Sequence, residues 1–283
     1  MKNLANEKSL LITSGSSWFD LNFGELLRYR ELIWLLIVRE LKPTYKQTIL
    51  GPLWFVLQPI LMTLIYSLVF GRVAKIPTGD CPPLLFYLSG IILWNFFNGS
   101  FLKNANIFAS YSHLFSKIYF PRLVVPIAAL GSTFFNLMIQ FCLFLLFGIW
   151  FQLHGFPVNF VTGLLFTPLI VLVLAFFSVG MGLMVSGVTT KYKDLTHFLT
   201  FGSQLLMYAT PIIYPEKIVP ESYRWIILIN PLSSFFELFR HAFLGMGVFD
   251  TGRLLTGALL GLLILMLGVL VFNKAQKDSV DTI

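Results

Sequence analysis

Charged side chains are scarce in this chain of 283 residues. Asp, Glu, Lys and Arg make up 12% of it, about half of the roughly 25% usual in soluble domains, while 57% of the residues are hydrophobic. A helix that spans a bilayer needs about 20 predominantly apolar residues, and the chain contains several such runs. The composition excludes an ordinary soluble domain and indicates an all-α polytopic membrane protein.

Signatures of catalysis and of metal binding are missing as well. No Gly-Lys dipeptide occurs, so the chain has no phosphate-binding loop. The four histidines show no zinc-site spacing, and the two cysteines give no disulfide framework. No charge lies at the centre of an apolar run, which argues against a proton- or sodium-coupled transporter. We therefore expect no catalytic residue, metal or cofactor in this chain. If the protein moves a substrate, the energy must come from outside the chain.

Charge-free runs predict six transmembrane helices. No charged residue occurs between Leu123 and Thr190, and the segment QLHGFPVN divides this run into two spans. The other four spans are predicted at 47–71, 81–102, 195–215 and 254–273. The predicted organisation is a cytoplasmic segment 1–46, a transmembrane domain 47–273 and a cytoplasmic tail 274–283.

The distribution of Lys and Arg predicts the orientation. Six spans place both termini on one side, and that side carries 14 of the 20 basic residues. Loops rich in Lys and Arg stay in the cytoplasm during insertion, so both termini are predicted to be cytoplasmic. The net charge of +7 has the same origin. No nucleic-acid-binding motif accompanies it, so we expect no nucleic-acid partner.

The segment 214–245 is apolar in part, but its pattern does not predict a transmembrane helix. The apolar pieces WIILIN and SSFFELF are interrupted by Pro231, Glu237 and Arg240, and each is too short to cross about 30 Å of hydrocarbon. Two short re-entrant helices on the external side fit better, because irregular backbone persists at membrane depth only when protein or water surrounds it. An external loop with an apolar patch is the alternative.

Residues 22–42 predict an amphipathic helix in the plane of the membrane surface. Charged residues fall on one side of this helix, and Ile33, Ile37 and Leu41 fall opposite. Arg30 and Glu40 break the pattern, either as spare charges or as points where a partner docks.

Aromatic residues make up 16% of the chain. Packing against lipid is the default role for those inside spans, and the alternative is a conduit lined by aromatic faces on which sugar rings stack. The candidates for the conduit are Trp54, Phe55, Tyr66, Trp94, Phe97 and Tyr208.

Three ordered motifs carry a family resemblance over essentially the whole chain. RELKPTYKQTILGPLWFVLQP (39–59), TKYKDL (190–195) and TPIIYP (210–215) with NPL (230–232) resemble the permease subunits of type-2 ABC exporters. The similar branch exports O-antigen, capsule and teichoic-acid polysaccharides. Pro43 departs from this pattern, and because proline removes a backbone donor we expect the N-terminal helix to end or kink before it.

The resemblance implies a half-transporter of the bacterial inner membrane. Two copies of the chain would form a homodimer with two separate ATPase subunits, which bind ATP and Mg²⁺, and would move a lipid-linked glycan. The implied ATPase-coupling residues are Arg28, Arg39, Glu40, Lys42, Tyr45, Lys46, Lys103, Lys117 and Arg122. The implied external gate contains Tyr214, Pro215, Asn230, Pro231, Glu237 and Arg240. An exporter of drugs or small lipids with the same fold, or a secondary transporter, are the alternatives.

Overall fold

The computed structural model describes residues 27–46, 49–115, 120–192 and 194–280. Ten α-helices and no strand occur in this part of the chain. They are α1 (Arg30–Lys46), α2 (Trp54–Tyr66), α3 (Pro83–Ala105), α4 (Ile107–Phe115), α5 (Val124–Leu153), α6 (Phe160–Lys191), α7 (Leu195–Ala209), α8 (Glu221–Ile229), α9 (Pro231–Leu244) and α10 (Thr251–Val280).

Five helical segments are long and apolar enough to cross a membrane. They are Gly51–Val73, Pro83–Ala105, Val124–Leu153, Phe160–Thr189 and Thr251–Ala275. Each matches one of the predicted spans to within a few residues. The run at 195–215 instead forms the 15-residue α7, about 22 Å long, because the helix ends where Thr210 precedes Pro211.

The first of these segments is irregular along its length. A 3₁₀ turn at Gly51–Leu53 leads into α2, which contains Pro59, and a π-helical stretch at Ser67–Val73 follows. Gly51 takes a positive φ of 51° and Pro52 fixes the next residue, so the regular helix starts only after them. The segment buries few of its residues within the chain.

Helices α6 and α10 run parallel and in close contact. A Cβ atom built on Gly268 would lie 2.3 Å from the Gly180 carbonyl oxygen, and one on Gly187 would lie 2.7 Å from the Ala275 Cβ. Small residues allow two backbones to approach in this way in membrane helices. Gly180 faces Gly268 and Gly187 faces Ala275, so both helices run in the same direction. The chain between α6 and α10 must therefore run back to the end of the bundle at which α6 begins.

Both ends of the described chain meet in one apolar cluster. Leu36 of α1 is buried there with Phe108 of α4, Val124 at the start of α5 and Phe272 near the end of α10. The Phe108 and Phe272 rings stack with centroids 4.9 Å apart. We call this end of the bundle the terminal end. The larger core cluster contains α9 and lies toward the opposite end.

Helix α7 and the residues after it run from the terminal end toward the opposite one. Thr196, in the first turn of α7, donates a hydrogen bond to Asn106, which follows α3. Beyond α7, the Ile212 carbonyl accepts a bond from buried Arg240 and lies close to Gly90, in the first third of α3. The two contacts therefore lie at different levels along α3.

Helix α1 has three faces, whereas the sequence predicted two. Leu36 is buried against the bundle, and Ile37 packs on Gly131 of α5. A second apolar face, formed by Trp34 and Val38, is exposed, as is Leu27 just before the helix. The helix does not end before Pro43, which was one of the two expected outcomes, because α1 continues to Lys46 with Pro43 inside it. Pro43 is exposed, so water can replace the missing backbone bond.

Candidate functional site

Glu40 binds α1 to the helix bundle at the terminal end. Lys103 Nζ at the end of α3 lies 2.6 Å from Glu40 Oε2, and Ser132 Oγ on α5 donates to the same oxygen at 2.6 Å. The Tyr111 hydroxyl on α4 donates to the other carboxylate oxygen. One carboxylate thus connects α1 to three other helices, and we call these four side chains the Glu40 cluster.

The Glu40 cluster keeps its carboxylate ionised. Burial by itself raises the pKa of the Glu40 carboxyl, but the positive charge of Lys103 and the bonds from Lys103, Ser132 and Tyr111 outweigh that effect. The pKa of Glu40 therefore lies below its ordinary value. Burial and the neighbouring carboxylate raise the pKa of Tyr111, so the phenol remains a donor.

The other coupling candidates on α1 are exposed. Arg28, just before the helix, Arg39 and Lys42 all lie on the solvent-accessible side, with the Arg39 guanidinium 5.4 Å from the centre of the Tyr111 ring. Arg122, before α5, lies over the Phe115 ring at 5.4 Å. Lys117 and the side chains of Tyr45 and Lys46 lie outside the described residues.

The six conduit candidates do not lie together in the structure. Trp94 and Phe97 are buried in the core of the chain with ring centroids 5.4 Å apart, and neither belongs to the lining of the two clefts described below. Tyr66 lies at the end of α2, with its hydroxyl 3.9 Å from the Met207 sulfur of α7. The Tyr208 side chain is exposed on α7.

Trp54 and Phe55 line a cleft of about 370 Å³ between α2, α3 and α5. Its other lining residues include the amides Gln58, Asn95, Asn98, Asn136 and Gln140, and also Lys103. We call it the amide cleft. It was not predicted, although the polar residues inside three apolar runs are visible in the sequence.

The predicted gate residues converge at the opposite end of the bundle. Arg240 of α9 is fully buried and donates to the carbonyls of Pro211 at 2.5 Å and Ile212 at 2.6 Å. Its guanidinium lies 3.8 Å above the Phe86 ring and 3.4 Å from Glu237. Arg240 therefore fixes the segment after α7 against α3 and α9.

The remaining gate candidates shape the two short helices. The Asn230 side chain caps α9 by accepting from the Leu232 amide, and it donates to Thr210 at 2.8 Å. Pro231 occupies the first turn of α9, where a missing donor does no harm. Tyr214 donates to the Tyr208 carbonyl, and Pro215 precedes a 3₁₀ turn and lines a cleft of about 930 Å³ beside Arg240.

The sequence did not predict several side chains that bind the coupling candidates or lie at the predicted gate. Ser132 and Tyr111 complete the Glu40 cluster, and buried Glu216 binds Arg253 at 2.9 and 3.1 Å at the gate. Glu40 gave the one available signal, because it was a charge on the apolar side of α1. No group of three or more His, Cys, Asp or Glu residues that could hold a metal occurs in the described part of the chain.

Comparisons with known proteins identify the family of the chain. The family described as ABC-2 type transporter matches residues 31–244. An O-antigen export system permease protein RfbA of Klebsiella pneumoniae is 27% identical over 90% of this chain and 95% of its own length. The capsule polysaccharide export inner-membrane protein CtrC of Neisseria meningitidis is 23% identical, and polysialic acid transport protein KpsM of Escherichia coli is 24% identical.

These two relatives cover 89% and 86% of the chain and 94% and 92% of their own lengths. The match thus includes α1, the gate helices and the spans between them, and it confirms the family resemblance of the three sequence motifs. The chain belongs to the ABC-2 type transporter family.

Proposed function

We propose that this chain is the permease subunit of an ATP-driven exporter that moves a lipid-linked polysaccharide across the bacterial inner membrane. The relatives named above are permeases or transport proteins for O-antigen, capsule or polysialic acid, and each matches nearly the full chain. The geometry that carries the proposal is the Glu40 cluster, because it attaches a helix with an exposed basic face to the membrane bundle.

ATP and Mg²⁺ are expected on two separate ATPase subunits bound at the terminal end. Arg28, Arg39 and Lys42 form an exposed basic surface there, next to the apolar face of Trp34 and Val38. The apolar face would lie in the headgroup region and the basic one toward the ATPase. A movement of the ATPase would then reach α3, α4 and α5 through Glu40.

A six-span layout with both termini in the cytoplasm is part of the proposal. Helix α7 and residues 210–215 would make the fifth crossing, supported by the Asn106 contact at one end and the Arg240 contacts at the other. The parallel course of α6 and α10 supports such a return. Helices α8 and α9, about 14 and 21 Å long, are then the re-entrant pair of a gate at 214–245.

A homodimer would supply the conduit. Segments Gly51–Val73 and α7 bury few residues within one chain, and their exposed faces carry Trp54, Phe201 and Tyr208. Two copies facing each other across α2 and α7 would enclose an aromatic path. Trp94 and Phe97 are left out of it, because they are buried in the core.

Reconstitution with and without an ABC ATPase tests the proposal. Proteoliposomes that contain the permease and a partner ABC ATPase should move a lipid-linked glycan only when ATP is present. Glycan movement by the permease alone would contradict an ATP-driven exporter. A complex that pumps small drugs but no glycan would contradict the substrate.

A further inference from the structure

The amide cleft lies between three helical segments that are each long and apolar enough to span the membrane: Gly51–Val73, Pro83–Ala105 and Val124–Leu153. Asn95 on α3 lies eight residues, or about 12 Å, before Lys103 toward the middle of that span. Polar side chains are expensive at membrane depth and usually mark a functional site or a bond between helices. The cleft therefore needs one of these two explanations.

Bonds between helices explain only part of the amide cleft. Asn95 Nδ2 donates to Gln140 Oε1 at 3.1 Å, which joins α3 to α5. The side-chain oxygens of Asn98 and Asn136 are buried and have no hydrogen-bond partner among the described residues. Buried amide oxygens without a partner are uncommon in folded proteins. A cleft built only to hold helices together would have satisfied them.

The chemistry of the lining fits a neutral sugar. Carboxamide groups offer both donors and acceptors, which suits the hydroxyl groups around a sugar ring. Trp54, Phe55 and Phe96 add apolar ring surface for its C–H groups. The volume of about 370 Å³ is at the lower end of known ligand sites, which suits a single sugar residue or little more.

A phosphate group fits less well. Lys103 is the one charged residue among the described residues that line the cleft. Its ammonium group is already bound to Glu40 and to Ser132, both at 2.6 Å. A diphosphate would meet mostly uncharged amides and a lysine whose positive charge is already neutralised.

We propose that the amide cleft between α2, α3 and α5 is a binding site for a neutral sugar unit of the lipid-linked substrate. The inference rests on the proposed function and names where part of its substrate binds. Because Lys103 belongs both to the cleft and to the Glu40 cluster, a bound sugar lies against the residue that holds α1. Occupancy of the cleft is thereby linked to the position of the ATPase-facing helix.

Binding of tritiated octyl β-glucoside to the full chain in nanodiscs tests the site. This probe carries one neutral sugar on an alkyl chain, and empty nanodiscs correct for its partition into lipid. We expect saturable binding that unlabelled octyl glucoside displaces and octyl phosphate does not. No saturable binding, or stronger displacement by octyl phosphate, overturns the proposal.

Two substitutions that keep the side-chain volume nearly unchanged test whether the sugar binds in the amide cleft. Gln140→Leu and Asn136→Leu should each weaken binding about tenfold or more, because each removes a polar partner of the sugar. Gln152→Leu on the same helix is the matched control, since Gln152 is exposed at the other end of α5 and lies outside the cleft. Size-exclusion profiles and unfolding temperatures confirm that the variants fold. Equal binding in all three variants overturns the proposal.

The reconstituted exporter separates this inference from the proposed function. If ATP drives glycan transport in the wild type and Gln140→Leu transports and binds equally well, the cleft proposal fails and the proposed function stands. If the wild type moves no glycan under ATP while octyl glucoside still binds at the cleft, the proposed function fails.

Discussion

Lys103 Nζ and Glu40 Oε2 lie 2.6 Å apart, although the two residues are 63 positions apart in the sequence. The pair joins the N-terminal helix to the end of α3, and Glu40 is 14% exposed there. A charge pair on a protein surface contributes little to stability. This pair is partly enclosed and shares its carboxylate with Ser132 and Tyr111, so it connects two parts of the molecule more strongly than a surface pair would.

Glu40→Gln should loosen α1 from the bundle. The change removes the negative charge to which three side chains donate. Loss of one hydrogen bond to a charged group lowers the free energy of unfolding by about 2 kcal/mol. Hydrogen exchange of the α1 amides should become faster, and the unfolding temperature should fall. Glu31→Gln on the same helix is the control, because Glu31 is exposed. Equal exchange rates in the two variants would contradict the role of Glu40.

Acid should remove the contribution of Glu40. Its pKa in the folded chain is lowered from an ordinary value of 4.5, so the stabilisation is complete above about pH 4.5 and declines as the pH falls through the folded pKa. The difference in unfolding temperature between wild type and Glu40→Gln should be constant near neutral pH and shrink in acid. A difference that persists undiminished at pH 3 would disprove this linkage.

Arg240 should tolerate no substitution, including the one by lysine. Its guanidinium bonds two carbonyls and faces Glu237 without contact with water. Lysine keeps the charge but lacks the planar set of donors, and each buried carbonyl left without a donor costs about 1 to 3 kcal/mol. We expect Arg240→Lys to lower the yield of folded protein sharply. Arg224→Gln, at a half-exposed position on the neighbouring α8, should behave like wild type, and a folded, stable Arg240→Lys would refute the structural role of Arg240.

Gly268→Ala should separate α6 from α10. The added methyl group would lie 2.3 Å from the Gly180 carbonyl oxygen and 2.8 Å from its Cα, and backbone atoms cannot move aside as a flexible side chain can. Overpacking of this kind costs about 1 to 3 kcal/mol. Gly202→Ala in α7 has nothing within 4 Å and should be neutral or slightly stabilising. Thermal unfolding of the two variants measures the difference.

The sequence predicted the apolar segments well because charge is excluded from the membrane. The runs at 47–71 and 254–273 correspond to the candidate spans Gly51–Val73 and Thr251–Ala275. It also predicted two short helices after residue 214, which are α8 and α9. Helix α7 is shorter than its apolar run, since Pro211 ends the helix while the residues around it remain apolar.

Long-range partners were beyond the reach of sequence patterns. A helical projection separates polar from apolar residues, but it does not distinguish an apolar face against protein from one against lipid, so the third face of α1 was missed. The same projection marked Glu40 as an exception without naming Lys103, Tyr111 or Ser132. Nothing in the sequence indicated that Glu216 is buried, because its partner Arg253 lies 37 positions away, in the first turn of another helix.

Transport coupled to ATP hydrolysis in the Glu40→Gln variant tests the central claim most directly. In proteoliposomes that contain the chain and the ATPase partner proposed for it, the number of glycan molecules moved per ATP hydrolysed is compared between wild type, Glu40→Gln and Glu31→Gln. We predict that Glu40→Gln still binds the ATPase and hydrolyses ATP but moves much less glycan per ATP, while Glu31→Gln resembles wild type. Wild-type coupling in Glu40→Gln would contradict transmission of force through this residue.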